Sequence, residues 1–565
     1  AGDVASGDLP GPGSPCGSTA PVDVLDDSEA AGADEGRGMA QIVHDLAPGA
    51  ALDFATAFTG ELAFAANIRA LAAAGAKVIA DDVAYFEEPF FQDGPVAVAV
   101  DEAAAAGVSY FTAAGNDNLI DSAGRDIASW EAPAFRDSGS CPAGLLALPQ
   151  FGAGHCMDFN PGPGKDDTFG ITVSKGATLT LDLQWAEPWN GVDTDLDAFL
   201  LDSKGKPLKV EVGSQEFVVG ATGDNLSTQR PVEILQWEND TGSSAEVQLA
   251  IDDCFGACNP GAGAAAAPRL KLAMLENGYG VTETEYPESS GGDTVGPTVF
   301  GHAGASGAIA VGAVGYDAGV EPERYSSRGP VHHYFGPVSG ATAAPAIDQT
   351  IPKPDLAATD CGATTFFARL EAGVWRFCGT SAAAPHAAAV AALARQADPG
   401  ASADAVRAAL TGTAHRGAGS DPDAVGSGLL DAYGAVAALP LPPKITITKA
   451  SAPLSDADAA AHTGSGGIAR STIGPKRPRA RIVKHPPRLI RTHRRSVRAS
   501  FRFAASAAGV TFVCKVDRGL LHFCGPRFSR RFGAGAHVLE VRASDAAGNV
   551  DRTASVFRFR VKRLG

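Results

Sequence analysis

No run of 18 or more apolar residues occurs in the 565-residue chain, so it offers no candidate transmembrane helix. Neither a Met nor an apolar leader stands at its start, AGDVASGDLP, which reads as a mature form or a fragment. No CxxC pair and no His-rich spacing accompanies the nine cysteines, which argues against a metal site. The 67 Gly and 37 Pro follow no period, which excludes a collagen-like chain. Basic residues are scarce over most of the length. Lys+Arg number 46 against 64 Asp+Glu, a net charge of −18. Of these, 23 Lys/Arg but only 4 Asp/Glu follow residue 469, so residues 1–469 carry a balance of −37. Such asymmetry marks separate domains or a basic tail. Apolar residues reach 45%, enough for packed cores, and the length suggests two to four domains.

Several cysteines fall in close pairs, which suggests an oxidising compartment. Cys141/Cys156, Cys254/Cys258, Cys361/Cys378 and Cys514/Cys524 are the candidate bridges. Cys16 is left over, either as a free thiol or with a partner upstream of residue 1.

From residue 21 strands alternate with helices. PVDVLDD, KVIADDVAYF and VSYFTAAGN read as strands; EGRGMAQIVHDLAPG, LAFAANIRALAAAG and VAVAVDEAAAAG read as helices. This alternation predicts a parallel sheet with helices on both faces. Between about 140 and 290 the helices vanish, and DTFGITV, ATLTLDLQW, DLDAFLLD and AEVQLAIDD predict an inserted β-sandwich of jelly-roll type. Alternation resumes with GAIAVGAVG, KPDLAATD and SAAAPHAAAVAALARQA, and GLLDAYGAVAAL closes the unit near 439. A Pro/Arg-rich linker follows over 441–497. VRASFRFAA, VTFVCKVD, HVLEVRASD and SVFRFRV then predict a small antiparallel sandwich over 498–565.

The strongest chemical signal is CGTSAAAPHAAAVAAL, residues 378–393. Ser381 stands where a Gly-Thr turn enters an Ala-rich helix, whose N-terminal N–H groups suit a developing oxyanion. The string GTSAAAPH resembles the nucleophile motif of the subtilase superfamily, the subtilisin-like serine proteases and their sedolisin relatives. SYFTAAGN is similar to the family strand that ends in the oxyanion-hole Asn, here Asn116. RYSSRGP, KPDLAA, GAIAVGAVG and GLLDAYGAV fit the same pattern in the same order. The resemblance implies an N-terminally truncated subtilisin-like peptidase domain over 1–140 and 290–440. Ser381 would attack the scissile carbonyl, and Asn116 would steady the oxyanion together with the Ser381 N–H. Ala113, Ala114 and Gly115 would line one wall of the substrate pocket, and Asp82–Ala84 the other.

The chain departs from the family at the base. Counting back from APGA, Glu35 stands where subtilisins carry their general-base His, as a Glu does in sedolisins. The second sedolisin carboxylate would fall at Met39, which cannot serve. Asp82 falls close to the nucleophile in related folds and is the expected carboxylate partner of Glu35; strand-end bonding of Asp81 and Asp82 to backbone is the plainer alternative. Two neighbouring carboxyls do not both ionise cheaply, so one keeps a proton. Three histidines compete for the role of base. His44 lies nine residues from Glu35, a half-turn out of phase. His302 in VFGHAGASG remains open. His386 reads as a structural residue of the nucleophile helix. Asp26 and Asp27 mimic the usual triad Asp, but eight residues before Glu35 leave no room for the intervening elements. PVDVLDD therefore reads as a second strand, the first lying upstream.

Asp193, Asp195 and Asp197 alternate in GVDTDLDAFLLD and could hold calcium, or could simply form a polar strand edge; no metal or cofactor is assigned. The insert, 141–289, is similar to pre-peptidase modules of secreted proteases, and 498–565 to immunoglobulin-like modules of bacterial secreted proteins. The basic C-terminal region could contact an anionic cell-surface polymer. Without an aromatic platform it predicts no specific nucleic-acid partner. The expectation is a secreted serine endopeptidase acting on polypeptides. The alternative is a catalytically inactive binding or cell-surface protein that keeps the fold.

Overall fold

The computed structural model describes residues 2–15, 18–28, 34–148, 151, 154–213, 215–255, 258–262, 267–275, 280–439, 479–493, 496–506, 511–517, 522–524, 527–544 and 554–564. Cys16 and most of the expected linker lie outside them.

Four parallel strands form the sheet that carries the site, in the order Leu356–Asp360, Ala308–Gly315, Ser109–Ala113 and Val78–Asp81. The two central strands are buried along their whole length, which is why they are mostly apolar, with Ser109 and Thr112 the buried polar exceptions. Alternate side chains serve opposite layers. On one face Ile79 and Tyr110 pack with Phe64, Ile68, Val96 and Val100 of the helices Glu61–Ala74 and Pro95–Ala105. On the other, Phe111, Ile309 and Val311 meet Ala383, Ala387 and Val390 of the helix Thr380–Ala397. Alanines let that 18-residue helix approach the sheet closely. The strand Asp23–Asp26 is not part of this sheet: it pairs in parallel with Asp53–Ala55 as a separate two-stranded ribbon.

The expected insert is a seven-stranded and a four-stranded sheet that share one core, with Trp130 and Trp185 fully buried beside Phe169, Leu181 and Leu249. It reaches beyond the expected limits of 141 and 289. Ser129–Ala132 pairs antiparallel with both Leu270–Met274 and Thr294–Val295. The short SWEA strand is drawn in because Trp130 completes the core.

A second correction concerns the linker, expected to run to 497. Ala480–Lys484 pairs with Ser496–Ala505, and Leu489–Thr492 pairs in parallel with Ser555–Arg563, so the C-terminal β-unit begins at 480. Its three-stranded and five-stranded sheets enclose Phe501, Phe532, Leu539 and Phe559. All four cysteine pairs are disulfides: Cys141–Cys156, Cys254–Cys258, Cys361–Cys378 and Cys514–Cys524. Among the described residues no helix is long and apolar enough to cross a membrane.

Candidate active site

Ser381 lies in the first turn of the Thr380–Ala397 helix and is 7% exposed. The turn before it is built tightly. Gly379 adopts φ 121°, a left-handed conformation open to glycine, and a Cβ there would stand 3.2 Å from Asn116 Nδ2. The Gly379 N–H donates to Asp360 Oδ1 at 2.8 Å. That oxygen also accepts the Cys361 N–H, while the Tyr325 hydroxyl donates to Asp360 Oδ2. The Cys361–Cys378 disulfide closes the loop that leads into the turn.

Asn116 follows the Ser109–Ala113 strand. Its Oδ1 accepts from the Thr380 N–H at 2.9 Å and the Thr380 hydroxyl at 3.0 Å. Anchoring the oxygen orients the amide and leaves Nδ2 as its outward donor. The Thr380 hydroxyl also accepts the Gly115 N–H at 3.3 Å, so the strand end and the helix start are laced together.

Glu35 opens the helix Glu35–Leu46. The inner face of this helix, Met39 and Ile42, packs on Phe377 and Ala382, and Met39 is thus a packing residue. Gln41 exchanges two hydrogen bonds with Thr365, 2.7 and 3.1 Å, which ties the helix to the segment preceding Ser381. Arg37 donates to Asp34 and Asp3 and lies over the Phe366 ring. Held this way, the half-buried Glu35 carboxyl neighbours the Asp82 carboxyl and the Ser381 hydroxyl, and both act on its proton affinity.

The electrostatics of the two acids follow from that contact. Burial pushes Glu35 up, and the hydrogen bonds to Asp82 and Ser381 pull it partly back. Burial pushes Asp82 well above the usual carboxylate range, and the charges of Glu35 and Asp81 add to the effect. Asp82 Oδ2 is buried and meets no donor among the described residues. Its neighbour is another carboxyl, so the pair is satisfied only when one of the two carries a proton. Burial and the neighbouring charges of Glu35 and Asp81 favour the proton on Asp82.

The structure therefore brings Ser381, Glu35 and Asp82 into contact and sets Asn116 beside the same turn. The histidines lie elsewhere. His302 is 2% exposed, with both ring nitrogens committed to Glu88 and Asp81. His44 is buried, and neither ring nitrogen has a partner among the described residues. His386 is bound through Nδ1 to the Ala382 carbonyl at 2.7 Å, and burial lowers its basicity. Asp195 accepts from the Asn225 N–H and from Asn259 Nδ2, while Asp197, pushed to about 9 by burial and by Glu233, Asp195 and Asp252, stands on the same strand edge. Among the described residues, each cluster of three possible metal ligands includes both sulfurs of a disulfide, which cannot ligate an ion. Asp360 escapes a reading of the sequence; only its place beside Cys361, at the end of a buried strand, hints at its work on the nucleophile turn.

Residues 277–436 match the model of the subtilase family (Peptidase_S8). No curated protein matches the chain. Among solved structures it is similar to MycP1 from Mycobacterium smegmatis, 24% identical over 23% of this chain and 30% of that one, with a TM-score of 0.15. It is also similar to a protease of Pseudoalteromonas arctica PAMC 21717, 26% identical over 24% of this chain and 37% of that one, TM-score 0.15. The chain thus spans about a third of the length of these relatives.

Proposed function

We propose, from the premise of a subtilase segment, that this chain is a serine endopeptidase with a carboxylate base. Ser381 is the nucleophile, Glu35 the general base, Asp82 the proton-bearing partner of Glu35, and Asn116 a donor to the oxyanion. The observation that supports the reading is that Glu35 has Asp82 and Ser381 as neighbours that act on its proton affinity.

The chemistry follows from that contact. As Ser381 Oγ bonds to the scissile carbonyl carbon, its proton passes to Glu35. The carbonyl oxygen gains the charge and is met by Asn116 Nδ2 and the Ser381 N–H at the positive end of the helix. Glu35 then returns the proton to the leaving amine, giving an acyl-enzyme. Water, activated by the same carboxylate, releases the acid. The hydrogen bond from protonated Asp82 keeps Glu35 ionised in mildly acidic solution, so activity centres there. The substrate is a polypeptide, and four disulfides support a secreted setting. We read the two-sheet insert as a jelly-roll, pre-peptidase-type module and the C-terminal unit as immunoglobulin-like.

The test is labelling by a fluorophosphonate across pH 4–8, with Ser381→Ala as control. Labelling that disappears in Ser381→Ala supports the enzyme, and a Glu35→Gln variant should label about 10²–10⁴ times more slowly. The alternative, an inactive binding protein on the same fold, draws on the small exposure of Ser381. No labelling of the wild type at any pH would decide for it.

A further inference from the structure

Beneath the Asp82 end of its strand lies a second set of buried charges that the proposed reaction does not use. Asp81 ends its strand and Asp82 follows it; Asp81 meets Thr112 and His302, whereas Asp82 neighbours Glu35. Asp82 shares the side of Ala80, toward the Glu35 and Ser381 helices. Asp81 shares the side of Ile79, toward the helices Glu61–Ala74 and Pro95–Ala105. There Asp81 Oδ1 accepts the Thr112 hydroxyl at 2.8 Å and lies 3.1 Å from His302 Nε2. The other ring nitrogen, Nδ1, lies 2.7 Å from Glu88 Oε1, and the His302 N–H donates to Glu88 Oε2 at 2.7 Å. Ionised carboxylates only accept, and a ring held between two of them then carries a proton on each nitrogen. Burial opposes that charge, and Glu88 and Asp81 overcome it. The backbone is shaped to fit: Gly301, at φ 59°, leaves the space where a Cβ would stand within 3.0 Å of the Glu88 carboxyl. His302, Glu88 and Asp81 are 2%, 1% and 6% exposed.

We propose that His302 is a positioning residue of the Ser381–Glu35–Asp82 site: its imidazolium, clamped between Glu88 and Asp81, offsets the Asp81 charge that bears on Asp82 and so sets the pH at which the acid pair exchanges its shared proton. The inference rests on the proposed peptidase reading and deepens it. The other groups facing the clamp are weaker sources of charge. Glu61 is buried with neither carboxyl oxygen partnered, and burial pushes it to about 8, so it is neutral in acid. Burial and nearby acids push Tyr85 and Tyr110 well up, so both stay neutral. Thr112 carries no charge, and Phe64 presents its ring at 5.8 Å from the imidazole. Glu87 and Arg230 act on Glu61 from outside this cluster.

The clamp predicts opposite effects of two substitutions in the full chain. His302→Gln removes a positive charge and should move the acid limb of the labelling-rate profile up by about one pH unit. Asp81→Asn removes a negative charge and should move it down by about as much. A purely structural role would lower both rates without moving the limbs apart, and that result, or shifts of the same sign, overturns the proposal. Should His302→Gln fail to fold, Asp81→Asn alone still reads the sign. ¹⁵N-histidine spectra of the wild type give a second readout: His302 protonated on both nitrogens at pH 8 supports the clamp, and a neutral tautomer at pH 7 overturns it. Absence of any Ser381-dependent labelling would instead remove the peptidase reading, and with it this role, whatever the spectra show.

Discussion

Asp82 offers the sharpest test of the shared proton, because two substitutions there should diverge. In Asp82→Asn the amide can still donate to Glu35, as the protonated carboxyl does, but it cannot ionise. In Asp82→Ala no donor remains. A hydrogen bond to a charged group contributes about 1.5–3 kcal/mol, and about 1.4 kcal/mol corresponds to one pKa unit. Losing the Asp82 donor should therefore raise Glu35 by about one to two units, on top of the rise that burial already imposes. The acid limb of the labelling rate in Asp82→Ala should move up by that amount. In Asp82→Asn the acid limb should stay within about half a unit, while the fall at high pH, where the wild-type pair becomes a dianion, should vanish. The assay is the second-order rate of fluorophosphonate labelling from pH 4 to 9, with circular dichroism to confirm folding. Wild-type profiles in both variants would show that the two acids share no proton. A limb near the ordinary histidine range, unmoved by either change, would transfer the base role to an imidazole.

Other consequences are checked more simply. Asn116→Ala should slow labelling by about 10²–10³, and should also lower the melting temperature, since the buried Thr380 loses the acceptor of its N–H and its hydroxyl. Replacing Cys361 and Cys378 together by Ala should cost about 3 kcal/mol in denaturant unfolding and should reduce labelling as well, because the bridge braces the turn before Ser381. Stability should fall as pH rises. Burial pushes Asp93 and Asp117 to about 7, Glu61 and Glu233 to about 8 and Asp197 to about 9. The folded chain therefore holds protons that the unfolded chain releases near pH 4, and each retained proton costs about 1.4 kcal/mol per pH unit above that point. Calorimetry should find a higher melting temperature at pH 5 than at pH 8.5; the reverse order would refute the burial of these acids.

The parallel sheet was legible because strands covered on both faces are mostly apolar, as AIAVGAVG is throughout and SYFTA is apart from Ser109 and Thr112. The close cysteine spacings were legible for a similar reason, each pair being short-range. The missed elements failed for physical reasons as well. Ser129–Ala132 is four residues long and owes its place to Trp130 and to a partner strand more than a hundred residues later. Ala480–Lys484 reads as a basic linker because it is short and flanked by Arg, Lys and Pro, and its pairing with Ser496–Ala505 decides it. The surroundings of His302 were invisible, since Glu88 and Asp81 reach it across 214 and 221 residues of sequence. The contact of Glu35 with Asp82 and Ser381 draws on three separate stretches, so motif matching could suggest it but not establish it.

The antiparallel pairing of Ser129–Ala132 with Thr294–Val295 also bears on how this chain assembles. Ser109–Ala113 and Ala308–Gly315 sit side by side in the parallel sheet although roughly 200 residues divide them, and closing so long a loop unaided is entropically costly and slow. The interposed sheets gather their own first and last strands onto adjacent tracks. Once they have collapsed, the two halves of the parallel sheet are delivered to each other as neighbours. The interruption thus works as a folding jig: its collapse should come first, and a lesion at Trp130 should slow formation of a site it never touches.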